Sequence, residues 1–285
     1  MKMIYLLLLL PLTSFAQELK VMTWNTFLLP PPWNMTKQAE RTELMTDILP
    51  ELGHDVMFFQ ETFFDKKRND LIKALKKTHP HVAIPRKGKK LKQVQDSGLF
   101  VASKHPMEVL DQVIFKNCAK SDCLSSKSAI MVEITMPNGK KAQMINTHLQ
   151  AWDEPKTLKI RKQQLEQIKE MMARHAKPGV PQILIGDLNI DANIDSDEYK
   201  EALTQMDMTN EPLVGELKGS NGFPTAGCFK KPGDNKEQWL DHLWLKKNGS
   251  EATVSNRRVF ALKGEFNNCE CPLSDHYPVE ATIKL

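Results

Sequence analysis

The chain closes on Leu273-Ser274-Asp275-His276-Tyr277-Pro278-Val279-Glu280-Ala281. A carboxylate and an imidazole stand side by side there, with a proline beyond them and then an apolar run. Such a pair joins an anionic acceptor to a group that takes up a proton near neutral pH. An isolated Asp-His at the mouth of a last strand is ordinary surface chemistry, so its meaning depends on partners elsewhere in the chain.

Working outward, polar residues recur where apolar runs finish. Leu19 to Trp24 alternates like a strand and ends on Asn25, and Asp55 to Gln60 reads as a buried strand with Glu61 at its carboxyl end. Ala129–Met136 and Lys141–Thr147 flank Asn138-Gly139, the turn dipeptide of a hairpin, and the second of these strands stops at His148. Gln182 to Ile185 delivers Gly186-Asp187-Leu188-Asn189, Trp239–Leu245 carries Asp241, and Val279–Ile283 follows Asp275-His276. Gly98–Ala102 and Val109–Phe115 are further strands. Helical patterns lie between them: from about Thr36 to Pro50 with Leu44, Met45 and Ile48, around Leu71, Ile72 and Leu75, and from Leu158 to Met172. The stretch between Asn189 and Trp239 reads as acidic and Gly-rich loops. No repeat or low-complexity linker divides the chain, and alternating strands and helices imply one α/β domain.

Strand ends are wet, and each of these residues alone is turn or surface chemistry; His148 alone also fits a satisfied core histidine. Eight of them, Asn25, Glu61, His148, Asp187, Asn189, Asp241, Asp275 and His276, can converge on one sheet edge, where open α/β folds place ligands. Their types match one chemistry. Glu61 and Asn25 offer hard oxygen donors suited to Mg²⁺ or Mn²⁺. Asp187 and Asn189, two apart on a tight turn, can present an acceptor and an amide to a phosphate and its attacking water. Together they fit metal-assisted hydrolysis of a phosphoester.

Composition sets the frame. The 285 residues are 41% hydrophobic and 26% charged, enough for a sizeable buried core. Lys2, an apolar run to Leu12 and the small residues of Ser14-Phe15-Ala16 form a secretory signal over residues 1–16, which leaves 17–285 as the domain. The expectation is an exported protein, secreted or periplasmic. A whole-chain net charge of +4 is too weak to argue for nucleic acid, and the basic run Arg86–Lys92 reads as a solvated loop. Cys118, Cys123, Cys228, Cys269 and Cys271 favour disulfides in an exported chain. Cys118 with Cys123 closes a small loop, and either Cys269 or Cys271 can reach Cys228. The odd number leaves one thiol over.

Trp24-Asn25, Gln60-Glu61, Asn146-Thr147-His148-Leu149, Gly186-Asp187-Leu188-Asn189, Leu240-Asp241 and Ser274-Asp275-His276-Tyr277-Pro278-Val279 resemble the ordered motifs of the endonuclease/exonuclease/phosphatase superfamily. Within it the chain is most similar to secreted bacterial neutral sphingomyelinases. That resemblance rests on Asp96-Ser97-Gly98, Leu124-Ser125-Ser126-Lys127, Thr147-His148-Leu149-Gln150-Ala151 and the run from Ser274 to Ile283, with Pro32-Trp33 and the Cys118 loop pointing the same way. It implies a DNase I-like four-layer sandwich, two packed mixed sheets between helices, with a divalent cation at one end.

The resemblance also implies roles. Glu61 and Asn25 bind Mg²⁺, for which Mn²⁺ or Co²⁺ can substitute, and Asp187, Asn189 and His276 complete the metal-facing set. Asp187 and Asn189 hold phosphate and water, alone or with a second metal. His276 is the general base and Asp241 orients it. His148 stabilises the pentacoordinate phosphorus or assists the leaving alkoxide, with Asp96 as its acidic partner, and Asp275 supports water or metal. The implied partner is a sphingomyelin-containing membrane surface, cut by a monomer to ceramide and phosphocholine, with no nucleic acid. A nuclease or phosphoinositide phosphatase of the same superfamily is the alternative, and a membrane-binding protein without catalysis is a remoter one. Weak net charge and the absence of an aromatic-basic stripe count against the nuclease.

Two features depart from that pattern. Haemolytic relatives resemble one another in a long hairpin before the last strand, tipped by adjacent aromatics. Arg257 to Pro272 is short here and has only Phe260 and Phe266. Trp33 and Trp152 are the substitute interfacial anchors, or they pack against loops of the cleft. Gln95 stands where an acid is expected beside Asp96.

Overall fold

The structure, a computed structural model, describes residues 18–31, 36–88, 93–194, 197–222, 228, 237–266 and 268–285. The expected leader, Trp33 and part of the basic run at 86–92 lie outside the described residues.

The chain opens with β1 (Glu18–Asn25), α1 (Gln38–Ile48), β2 (Val56–Gln60), α2 (Asp65–Leu75), β3 (His81–Ala83), β4 (Phe100–Ser103) and β5 (Met107–Ile114). It continues through β6 (Ser128–Thr135), β7 (Lys141–His148), α3 (Pro155–His175), β8 (Gln182–Asp187) and α4 (Asp197–Met206). The last elements are β9 (Asp241–Lys246), β10 (Thr253–Val259), β11 (Lys263–Phe266), β12 (Cys269–Pro272) and β13 (Val279–Lys284). One mixed sheet has the order β10-β13-β1-β2-β4-β3, a second has the order β5-β6-β7-β8-β9, and β11 and β12 form a separate hairpin.

The four layers follow from where apolar side chains point, since alternate residues of a strand face opposite sides of its sheet. Val21, Phe58, Ile130, Met144, Ile185 and Leu243 meet between the sheets. The outer face of the first sheet, with Met22, Trp24, Phe59 and Phe100, is covered by Met45 of α1 and Leu71 and Leu75 of α2. The outer face of the second, with Met131, Ile145 and Trp244, is covered by Leu165 and Ile168 of α3 and Ala202 and Met206 of α4. At 25 cal/mol per Å² or thereabouts, this double burial is why the central strands read as continuous apolar runs. No helix among the described residues is long and apolar enough to cross a membrane.

The structure changes one sequence expectation and adds two elements that the sequence reading did not assign. The stretch after Asn189 is not all loop: Tyr199, Ala202, Leu203 and Met206 recur at helical spacing inside a charged sequence, and packing on Trp244 makes α4 of them. The short stretch before the last strand does hold a hairpin, β11–β12, but Phe266, paired with Cys269 beside its turn, is buried and Phe260 stacks on His54 at 5.9 Å. Neither aromatic is offered to solvent as a tip. β10 was not apparent in the sequence, where Ser255-Asn256-Arg257-Arg258 looks polar; Arg257 is nevertheless buried, bonding the Leu243 carbonyl at 2.6 Å.

The Cys118–Cys123 bridge forms as expected, and Cys228 pairs with Cys271. Cys269 is the remaining thiol and is exposed.

Candidate active site

Strand registry decides which polar residues meet. In the first sheet β1 and β2 are parallel with Asn25 opposite Gln60, so Asn25 and Glu61 finish together. In the second, β7 and β8 are parallel with His148 opposite Asp187, while antiparallel β9 begins with Asp241 opposite Asp187. β13 runs antiparallel to β1, which puts Asp275-His276 at that same end. The close approach of β7 and β8 requires a glycine: a Cβ on Gly186, whose φ is +136°, would lie 2.1 Å from the Thr147 carbonyl oxygen.

The two sheets are joined beneath this end by Gln60, whose amide donates to Asn146 Oδ1 at 2.8 Å; Asn146 in turn donates to the carbonyls of Phe59 and Phe100. These buried amides are mutually satisfied, so they fix the relative register of the sheets rather than merely costing desolvation.

Asp187 is the centre of the cluster. Its Oδ2 accepts from Asn25 Nδ2 at 2.9 Å and lies 3.5 Å from His148 Nε2 and 3.9 Å from His276 Nε2; its Oδ1 accepts from the Asn189 amide at 3.0 Å. Asn189 adopts φ of +52°, and its side-chain amide donates to the Leu149 carbonyl at 3.2 Å. His276 Nδ1 sits 2.7 Å from Asp241 Oδ2. A carboxylate only accepts, so Nδ1 carries the proton and Nε2 is the nitrogen turned toward Asp187. Burial depresses the His276 pKa, but Asp241 and Asp187 outweigh it and hold it well above the usual range. His148 goes the other way: burial, reinforced by Lys127, pulls it to about 3, so it is a neutral imidazole.

Glu61 is held at φ of +53°, a conformation bulky residues avoid and functional sites retain. Burial and then Asp275 push its carboxyl up to about 8. Asp275, half-buried, is likewise raised by burial. Glu61 has no lysine or arginine within ion-pair distance among the described residues; His148 at 3.9 Å is its nearest basic group. Acidic groups in excess of cations suit a divalent ion. The oxygens of Glu61, Asp187 and Asn25 suit a hard cation such as Mg²⁺. Asp187, Asp241 and His276 also bring ligand atoms within 4.8 Å of one another. Two of those three, Asp241 and His276, are already bonded to each other.

Asp96 corrects the expected pairing. Its Oδ2 accepts from Arg68 at 2.7 Å and its Oδ1 from the Gly98 amide at 2.8 Å, while His148 Nδ1 is buried without a partner among the described residues. Asp96 therefore fixes the loop ahead of β4 rather than His148. Two basic residues near the site went unassigned in the sequence. Arg41, fully buried on α1, donates to the carbonyls of Thr26, Phe27, Thr36 and Leu273, tying the segment after Asn25 to the one before Asp275. Lys127 pairs with Asp122 at 2.8 Å and donates to the Leu149 carbonyl at 2.5 Å. Lys127 had only its place in Leu124-Ser125-Ser126-Lys127 as a sequence signal, because burial of an arginine or lysine is not visible in composition.

Beside the cluster lies a cavity of about 300 Å³ walled by Phe27, Phe63, Leu124 and Trp152 and lined also by Glu61 and His148. Trp152, 39% exposed and held at φ of +71°, stands at the cleft with Lys120 4.9 Å over its ring.

The architecture, two face-packed mixed sheets between helices with polar strand ends gathered at one edge, is the endonuclease/exonuclease/phosphatase fold. A protein of that family from Bacteroides thetaiotaomicron superposes with a TM-score of 0.67 at 15% identity, over 94% of this chain and 98% of its own. The chain is similar in sequence to bacterial sphingomyelinases. It is 26% identical over 93% of its length to a sphingomyelinase C of Leptospira interrogans, spanning 51% of that longer protein. With a Bacillus cereus sphingomyelinase C it is 24% identical over 96% of this chain and 91% of the other. Beta toxin from Staphylococcus aureus superposes with a TM-score of 0.77 at 22% identity, covering 92% of this chain and 99% of that one. A beta toxin structure holding magnesium ions superposes at 0.72, with 21% identity over 93% and 99% of the two chains. No family model matches the chain.

Proposed function

We propose that the chain is a Mg²⁺-dependent phosphodiesterase that hydrolyses sphingomyelin to ceramide and phosphocholine. The observation that carries this reading is the buried His276–Asp241 pair, 2.7 Å apart, facing Asp187 beside an aromatic-walled cavity. The similarity to sphingomyelinases supports the choice of lipid, and the leader at residues 1–16 implies that the reaction takes place outside the cytoplasm.

His276, aligned through Nδ1 by Asp241, takes a proton from water at Nε2, and Asp241 stabilises the imidazolium that forms. Asp187, fixed by Asn25 and the Asn189 amide, orients that water. His148, neutral and facing the cavity, donates a hydrogen bond to phosphoryl or leaving oxygen as charge develops there. Glu61, with Asn25 and Asp187, would hold the cation, which when bound neutralises charge on the phosphoryl oxygens and the departing alkoxide. Asp275 adds negative charge that favours cation over vacancy. The apolar and aromatic walls of the cavity suit the quaternary ammonium and chain-proximal part of the lipid, where cation–π attraction operates.

Phosphocholine or phosphate release is to be measured from sphingomyelin, lysophosphatidylcholine, phosphatidylinositol and DNA, each in Mg²⁺ and in EDTA. Turnover of sphingomyelin in Mg²⁺ alone is expected. Cleavage of DNA or phosphatidylinositol with sphingomyelin untouched would move the enzyme elsewhere in the superfamily, and full activity in EDTA would remove Glu61 from its role.

A further inference from the structure

Asp241 and His276 belong to different sheets, and something must keep them in line. We infer that Ser220 is a positioning residue for this pair, acting through both its hydroxyl and its main chain. The inference rests on the function proposed above.

The hydroxyl of Ser220, fully buried, donates to Asp241 Oδ2 at 2.6 Å, the same oxygen that accepts from His276 at 2.7 Å. The hydroxyl oxygen in turn faces the amides of Leu240 and Asp241 at 3.3 and 3.1 Å. The Ser220 carbonyl accepts from the amide of Tyr277, the residue after His276, at 2.7 Å. Its neighbour Asn221 bridges both Gln238 and His276. One residue thus grips the start of β9 with its side chain and the approach to β13 with its backbone.

The carboxylate needs that grip. Asp241 Oδ1 is buried with no hydrogen-bond partner among the described residues, which hold the group through Oδ2. Two donors converging on one oxygen define the plane of the carboxylate; a single donor leaves it free to rotate about its terminal bond and present the imidazole with a poorly aligned acceptor. Removing the hydroxyl leaves Oδ2 with only His276 and also strips the amides of Leu240 and Asp241 of their acceptor. The chemistry affected is orientation of the base, not binding of lipid or cation.

The test compares wild type, Ser220→Ala, Ser220→Thr and Ser220→Ala combined with His276→Ala. It reads phosphodiester turnover, thermal melting and the downfield proton resonance of His276 Nδ1, assigned by its loss in His276→Ala. Ser220→Ala is expected to lower kcat by ~10- to 100-fold, the effect of losing a hydrogen bond to a charged group, with KM nearly unchanged and the resonance moved. Ser220→Thr, which keeps the donor, restores both. In the His276→Ala background Ser220→Ala costs nothing further, because residues acting as one unit are not additive. An unmoved resonance with unchanged kcat, or a full additive loss without His276, would overturn the inference. A resonance that moves in Ser220→Ala while the wild type shows no phosphodiester turnover would overturn the proposed function instead and leave Ser220 as the support of the pair.

Discussion

Glu61 shows at the scale of one residue how this site trades stability for chemistry. Its folded pKa of about 8 lies above the ordinary 4.5, so the ionised carboxylate destabilises the metal-free fold as pH rises from 4.5 toward 8, and an added cation reverses the sign. Glu61→Gln is therefore expected to raise the stability of the EDTA-treated protein at pH 8, by on the order of 1 kcal/mol, and to abolish the rise in Tm that Mg²⁺ produces. Thermal melts with and without Mg²⁺ check both halves; a mutant still stabilised by Mg²⁺ to the wild-type extent would place the cation elsewhere. His276 gives the companion prediction. A base must be unprotonated, and its neighbours hold this imidazole's pKa high, so kcat is expected to fall on the acid side as His276 takes up its proton. His276→Ala should lose ~10²- to 10⁴-fold in kcat, and its residual activity should lack that acid limb. Among single residues, Asn25, Glu61, His148, Asp187 and His276 were legible because each ends or leads into an apolar run. Lys127, Arg41 and Ser220 were not: their importance lies in burial and in which carbonyl or carboxylate they meet, which no local pattern encodes.

At the scale of elements, β7 and β8 deserve their own test because they place His148 and Asp187 side by side. Gly186→Ala forces a methyl against the Thr147 carbonyl, and a loss of ~3 kcal/mol or more is expected, with activity falling together with the folded fraction. Chemical denaturation measures it; wild-type stability would mean that the strands separate at no cost. The β11–β12 hairpin is anchored by Cys228–Cys271, so Cys271→Ser is expected to cost ~2–4 kcal/mol, whereas Cys269→Ser is neutral. Peptide mapping should find Cys269 alone open to alkylation without reductant. Elements with a clean period, such as α3 and the β6–β7 hairpin, could be read directly. α4 and β10 were hidden, the first by its charge and the second because a buried arginine stands where an apolar residue is expected.

Across the whole molecule, the two sheets are held by apolar contact over most of their area and by a few buried polar links. Far from the site, Glu133 shows what acid does to such a structure. Burial alone would raise its pKa, but Lys141 at 2.6 Å, Lys177 at 2.7 Å and Gln143 pull it down to about 2. A depressed folded pKa means stability present above pH 4.5 and lost as pH falls from there toward 2. Glu133→Gln is expected to lower stability at pH 7 by on the order of 2 kcal/mol and to flatten this part of the acid-unfolding curve, which denaturation at pH 7, 4 and 2.5 would reveal. The sequence by itself determined the α/β alternation and the identity of most strand-end residues, because burial on both faces and the wet ends of strands leave local signatures in residue type. Only the tertiary structure decided that Asp96 serves Arg68 rather than His148, that Cys228 reaches Cys271 rather than Cys269, and that Ser220 joins Asp241 to the approach to β13. Those are contacts between segments far apart in the chain, set by registry and by competition among partners, and neither is written in the order of the residues.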